Sequence, residues 1–285
     1  MRICRACAGR FDGPGWSCPA CGWAAAREGR IHRWLDDAPD GIAYDPQHFD
    51  EFEPIVDTHF WFVSRNALLA WALRRYFPDA RSLLEVGCGS GQVALALRRA
   101  NPQLRLTGTE AFIEGLRLAA ARVPDAELVV ADARALPFEA EFDVVGAFDV
   151  IEHIREDDRA IEQMVRAVKP GGGVIVTVPQ HEFLWSAMDE RAGHARRYSR
   201  ALLTARLREQ GLGVERITSF VTLLLPVMWA SRLLQRGRAS RQEFALPPAV
   251  NRAALWMAGF ERGLIQAGVP LPAGGSLLAI ARRPR

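Results

Sequence analysis

Lysine is almost absent from this chain: Lys169 is the only one among 36 basic residues. That skew towards arginine carries no functional information by itself. An excess of charge is also missing. The net charge is +3 over 285 residues, so the total demands no nucleic-acid partner. No charged-then-apolar signal segment begins at Met1-Arg2-Ile3-Cys4, which gives a cytoplasmic expectation. Long apolar runs are scarce. The best candidate, "ITSFVTLLLPVMWASRLL" from Ile217 to Leu234, sits at the lower limit for a membrane span and contains Pro226. It reads as a buried strand running into a helix, with peripheral membrane contact as the alternative and no transmembrane span. Hydrophobic residues make up 49% of the chain, enough for one large core and a small satellite module.

The few cysteines are concentrated. Cys4, Cys7, Cys18 and Cys21 form two C-x2-C pairs ten residues apart. Two such pairs can place four thiolates tetrahedrally around one structural Zn²⁺. Gly9, Gly13, Pro14 and Gly15 suit the turns between them. So short a stretch has no core of its own, so the metal would supply its folding energy. Two disulfides are the other pairing, disfavoured in a reducing compartment. Residues 1–30 are therefore expected to be a zinc ribbon, locally basic through Arg2, Arg5, Arg10, Arg27 and Arg30. The acidic, proline-broken stretch Asp36–Gln47 reads as linker, and 31–79 as linker plus an N-terminal helical segment.

From Arg81 the pattern alternates. Apolar strands are expected at Ser82–Val86, Leu104–Thr109, Leu128–Ala131, Phe142–Phe148, Val174–Val178, Val214–Ser219 and Ser276–Ala281. Helices lie between, as at Gln92–Ala100 and Asp158–Val168. Such alternation indicates a mostly parallel sheet covered on both sides, with ligands beyond the strands' carboxyl ends. After the first strand comes Gly87-Cys88-Gly89-Ser90-Gly91, then Gln92 where a dinucleotide fingerprint needs its third glycine. After the second comes Glu110, a carboxylate able to accept both ribose hydroxyls. After the third comes Asp132-Ala133, able to meet an adenine edge. "FDVIEH" (Phe148–His153) follows the fourth, and Lys169-Pro-Gly-Gly-Gly173 reads as a turn before the fifth.

With these residues in order, the sequence resembles the class I S-adenosylmethionine-dependent methyltransferases with a type 11/12-like domain. The likeness covers about residues 80 to 180. It implies a Rossmann-like seven-stranded α/β sheet, mostly parallel, with an antiparallel last strand beside the sixth. It implies that Glu85, Gly87, Cys88, Gly89 and Gly91 lie under the amino-acid part of S-adenosylmethionine. Glu110 and Ala111 would hold the ribose, Asp132 and Ala133 the adenine, while Phe148 and Asp149 border the methionine end. The methyltransferase domain then runs over 80–285, with an apolar helical insertion at about 223–275.

On the acceptor side, three histidines are candidate proton acceptors: His181, which follows a strand end, His153 and His194. Arg196, Arg197 and Tyr198, with Trp185, are candidate substrate contacts, two guanidiniums suiting a phosphate or carboxylate. Phe52, Phe60, Trp61 and Phe62 in the N-terminal segment are expected to close over the cofactor. The favoured function is methyl transfer to a small molecule that is anionic, or natural-product-, sugar- or lipid-linked. The alternatives are an rRNA or tRNA methyltransferase binding RNA through the ribbon, and a non-catalytic nucleotide-binding protein of the same fold.

Overall fold

A computed structural model describes residues 1–13, 15–37, 39–234 and 246–285. Pro14 and the 235–245 part of the expected insertion lie outside the described residues. Two short hairpins come first: β1 (Arg2–Ile3) with β2 (Arg10–Phe11), and β3 (Ala26–Glu28) with β4 (Ile31–Arg33). Helices α1 (Gln47–Phe52) and α2 (Phe60–Tyr76) follow. Strands and helices then alternate: β5 (Ser82–Val86), α3 (Gln92–Ala100), β6 (Arg105–Glu110), α4 (Ile113–Arg122), β7 (Glu127–Val130), β8 (Phe142–Phe148), α5 (Asp157–Ala167) and β9 (Val168–Pro179). The chain ends with α6 (Ala187–Arg191), α7 (Arg200–Glu209), β10 (Gly213–Phe220), α8 (Leu225–Leu234), α9 (Pro248–Gln266) and β11 (Ser276–Arg282).

Strands β5 to β11 lie in the order β10-β11-β9-β8-β5-β6-β7. β11 is antiparallel to both neighbours, and the other pairings among these seven are parallel. This is the expected Rossmann-like arrangement. From β5 the chain goes one way through β6 and β7, then returns to β8 on the other side. Such a reversal opens a crevice at the carboxyl ends of the strands. One face of the sheet packs α2, α3, α4 and α9 through Leu69, Leu97, Leu116 and Ile265. The other packs α5 and α7 through Ile161, Met164, Leu203 and Leu207.

Two details differ from expectation. Lys169–Gly173 is not a free turn but the irregular start of β9. Pairing jumps from Phe142↔Val168 to Val144↔Gly173. Asp143, on the facing strand, accepts hydrogen bonds from Lys169 Nζ at 2.7 Å and from the Ser82 N–H at 2.9 Å, which pins the slack. Secondly, the sheet has two further strands. β4 runs parallel beside β7, Ile31 opposite Leu128 and Arg33 opposite Val130, with β3 outside it. The expected ribbon boundary at residue 30 therefore falls inside a hairpin that extends the sheet. Without it, β7 would present an open edge.

The ribbon is fastened by more than backbone pairing. Arg2 donates to both oxygens of Glu127 at 2.7 and 2.9 Å, and Trp16 Nε1 reaches the same carboxylate at 2.8 Å. The Trp16 ring meets Phe138 edge-on at 5.7 Å, and Phe138 in turn meets Phe142 at 4.9 Å. Phe138 is fully buried. Phe138→Ala should cost about 3–5 kcal/mol by urea denaturation, because the hole opens between two elements that cannot collapse onto it. A cost below about 1 kcal/mol would show that this seam is loosely packed.

Candidate functional site

The site begins where β5 ends. Gly87, at φ 66, has no room for a side chain: a Cβ there would lie 2.6 Å from Val150. Gly91, at φ 76, caps α3, and a Cβ on it would meet Ala119 at 3.0 Å. The loop is thus pressed against its neighbours, and the first N–H groups of α3 stay available to a ligand. Cys88 lies buried below it, against Gly108, its thiol pushed up by burial and by Glu85 and Glu110. It fills space and is not a nucleophile.

Beside the loop is a cavity of about 140 Å³. Gly87, Gly89, Glu110, Ala111, Ala131 and Ala133 line it, and Tyr44 and Phe49 cover it. The Glu110 carboxylate accepts the N–H groups of Ala111 at 2.8 Å and Gly89 at 3.1 Å, which fixes its direction. Burial raises its pKa. Asp132 follows β7 between Ala131 and Ala133, which line this cavity, and is already engaged. The Arg134 side chain grips both its oxygens at 3.0 and 3.1 Å, and Asp132 lines neither cavity described here. The supposed linker supplies the cover instead. Tyr44 packs against Phe49 at 5.1 Å and stands edge-on to His153 at 5.4 Å. Glu53 of the same strap holds Arg122, which also donates to the Ser90 carbonyl at 2.9 Å.

A larger cavity of about 580 Å³ opens from the other side of the loop. Phe52, Phe60, Trp61 and Phe62 wall it, together with Val227 and Met228 of α8 and Val250 and Ala254 of α9. Phe148, Asp149, Glu85 and Cys88 lie at its base. Sequence reasoning missed Arg65. Its guanidinium is buried, lies 4.5 Å over the Trp61 ring and bonds Asp149 at 2.9 Å. Thr177 donates to the same Asp149 oxygen at 3.0 Å. Only the fold brings residue 65 to residue 149; the sequence signal was no more than an arginine next to an aromatic run.

Glu85 is fully buried, and one of its oxygens has no partner. Burial pushes its pKa up to about 8, against the pull of Arg65. Raised above its unfolded value, this carboxyl stabilises the fold below about pH 4.5 and loses that contribution as pH rises to about 8. Glu85→Gln should therefore flatten the decline in unfolding free energy over that window, by at most about 1.4 kcal/mol per pH unit. Parallel profiles for the two proteins in denaturant titrations would refute this.

The three histidines separate. His153 and His194 both line the larger cavity, their rings 4.6 Å apart. His181 lines neither cavity and stacks on Phe183 at 4.8 Å. Trp185 lines neither as well. The anion-binding group is also corrected. Arg197 borders the larger cavity, but Asp189 takes its guanidinium at 2.8 and 3.1 Å. Arg196 pairs with Asp157 at 3.1 Å, and the buried Tyr198 donates to Asp157 at 2.7 Å. These charges brace the loop after β9 against α5. Although burial works against it, Asp189 is held down to about 2 by His194 and Arg197.

At the far end of the sheet the four ribbon cysteines converge. Cys4 and Cys21 have sulfurs 3.6 Å apart, and Cys7 and Cys18 3.7 Å apart, none at bonding distance. All four sulfurs lie within 4.8 Å of one another. Tetrahedral zinc with bonds of about 2.3 Å requires S···S edges of about 3.8 Å, so the set fits.

A parallel sheet with this strand order, an antiparallel last strand and a glycine cradle at its reversal defines the class I methyltransferase architecture. A family profile described as "Methyltransferase domain" matches residues 84–176. This stretch is a class I S-adenosylmethionine-dependent methyltransferase domain. Among curated proteins, the chain is similar to the demethylmenaquinone methyltransferase of Renibacterium salmoninarum. They are 29% identical over 154 residues, covering 52% of this chain and 62% of the relative. It is also similar to the ubiquinone biosynthesis O-methyltransferase of Thiobacillus denitrificans, 30% identical over 150 residues, 50% of this chain and 56% of the relative. The matches thus span less than two thirds of these relatives. A solved structure, the Haemonchus contortus phosphoethanolamine N-methyltransferase 2 with phosphomonomethylethanolamine and S-adenosylhomocysteine, shares the fold. Its TM-score is 0.56 at 20% identity, over 84% of this chain and 58% of that one.

Proposed function

We propose that this protein transfers the methyl group of S-adenosylmethionine to a small molecule with an extended apolar body. The carrying observation is one continuous cavity, from the glycine loop and Asp149 out to α8 and α9. The bound cofactor supplies an already activated methyl group on a sulfonium. In this reading Gly87, Gly89 and the start of α3 receive its amino-acid part, with Arg65 facing the carboxylate. Glu110 takes the ribose, and Ala131 and Ala133 border the adenine. Glu85, with an unpartnered oxygen in the same wall, is a further acceptor for the ammonium end. The chain's own work is then alignment and exclusion of water, for which the four aromatics of α1 and α2 are placed. The acceptor's reacting atom lies at the polar end of the cavity. There His194, its Nδ1 held by Asp189 at 2.8 Å, is the candidate to take the acceptor's proton.

Exposed apolar side chains on α8 and α9 support an apolar, lipid-like or lipid-linked acceptor. Val227 and Val250 line the cavity and are exposed, and on the same helices Trp229 is exposed and Trp256, 75% exposed, stacks on the exposed Phe260. Single exposed apolar side chains need no explanation, but a run of them does. No helix among the described residues is long and apolar enough to cross a membrane. The names of the two quinone-pathway relatives agree with this acceptor class. RNA is less well supported: Arg2, Arg5 and Arg10 of the ribbon are paired with Glu127, Asp36 and Glu139. For the four ribbon cysteines we propose structural zinc, closed to catalysis.

S-adenosylhomocysteine at 100 times its dissociation constant should stabilise the protein by about 2.7 kcal/mol, several degrees in a thermal scan, and NAD should not. No shift would remove the methyltransferase reading. Methyl label recovered from a lysate in RNA, and not in the solvent-extractable fraction, would overturn the acceptor class.

A further inference from the structure

We propose that Glu152, His153 and His194 bind a divalent cation at the polar end of the larger cavity. One ligand atom from each lies within 4.8 Å of the other two. All three residues line the cavity.

Several independent features point to a ligand there. Glu152 is 1% exposed, and one of its oxygens has no hydrogen-bond partner. A buried carboxylate oxygen is costly to leave without a partner. His153 is arranged as a donor of a lone pair. Its Nδ1 is buried and has no partner. In His194 the Nδ1 is tied to Asp189 at 2.8 Å, which leaves Nε2 for a ligand; with a cation bound there Nε2 would no longer take the acceptor's proton, and the cation would instead acidify the hydroxyl it holds. His194 is thus fixed at one nitrogen by an oxygen, and each imidazole keeps a nitrogen for a ligand. Outer-shell oxygens that orient a metal-bound histidine make this arrangement. Asp189 is itself held by Arg197, so the orienting group is rigid.

Two nitrogens and a carboxylate suit Mn²⁺, Fe²⁺, Co²⁺ or Zn²⁺. All three residues line the cavity, and three protein ligands would leave coordination positions open. They would receive oxygen donors of the acceptor, such as neighbouring hydroxyls or a hydroxyl beside a carbonyl. That last step rests on the methyl-transfer reading; cation binding itself does not.

The test is a Mn²⁺ titration of the zinc-loaded full chain without cofactor, with free Mn²⁺ read from its six-line paramagnetic resonance signal. Mn²⁺ prefers oxygen and nitrogen, so it should leave the four thiolates alone. One site per chain is expected. Glu152→Gln and His194→Asn should each weaken it at least 10-fold, and Asp189→Asn about 10-fold. His181→Ala should not change it. The S-adenosylhomocysteine thermal shift checks that each variant is folded. If the Glu152 variant does not fold, the more exposed His194 position carries the test alone. No Mn²⁺ site, or one that survives both ligand substitutions, overturns the proposal. A Mn²⁺ site in a protein that shows no S-adenosylhomocysteine shift would keep the cation and discard the methyl-transfer reading.

Discussion

Glu110→Ala is expected to weaken S-adenosylhomocysteine binding by about 10²–10⁴-fold in a calorimetric titration. A hydrogen bond to a charged acceptor is worth about 1.5–3 kcal/mol, and a ribose offers two hydroxyls to this carboxylate. The loss should exceed that from most single contacts because Glu110 also holds the glycine loop. It takes the Gly89 N–H at 3.1 Å and the Ala111 N–H at 2.8 Å. Glu110→Gln separates the two roles. It keeps the shape and one acceptor oxygen, so it should retain the loop and lose only part of the affinity. Binding by the alanine variant within three-fold of the parent would remove Glu110 from the ribose site.

Stripping the metal from the four cysteines is expected to do more than unfold a small appendage. Zinc contributes about 10–16 kcal/mol to the folding of isolated finger peptides. Here the ribbon leads directly into the β3–β4 hairpin that covers β7. Chelation, or Cys4→Ser with Cys18→Ser, should therefore expose amides of residues 1–33 and of β7 together in hydrogen exchange. The freed β7 edge should then promote self-association at high protein concentration, because it offers a row of unpaired backbone groups. Elemental analysis should return one zinc per chain beforehand. Protection that survives chelation, or a purified protein without bound metal, would end the zinc assignment. Exposure of the ribbon with β7 still protected would show that the hairpin holds without it.

The methyltransferase core was legible because its signals are local. Gly87 to Gly91 follow an apolar strand directly, and Glu110 ends the next one. A loop that presents backbone to a ligand needs particular residues at consecutive positions, and consecutive positions are what a sequence displays. The four cysteines were readable for the same reason: their spacing is their geometry. That Arg134 grips Asp132 was not legible, because rotamers are not written in order.

What remained hidden was long-range pairing. Arg196 and Arg197 looked like free cations, yet Asp157 and Asp189 neutralise them. Tyr44 sat in an apparent linker, yet it stands beside His153 at the cleft. His153 and His194 are 41 positions apart in the chain (194 minus 153), yet their rings are 4.6 Å apart. By itself the sequence determined the class of sheet, the glycine loop after its first strand and the spacing that lets four thiols converge, each carried by neighbouring residues under local backbone rules. Only the tertiary structure decided that the ribbon extends the sheet, which charges are already paired, and which histidines share a cavity. Those outcomes depend on which side chains meet after the core has closed, and burial decides whether a charge finds water or a partner.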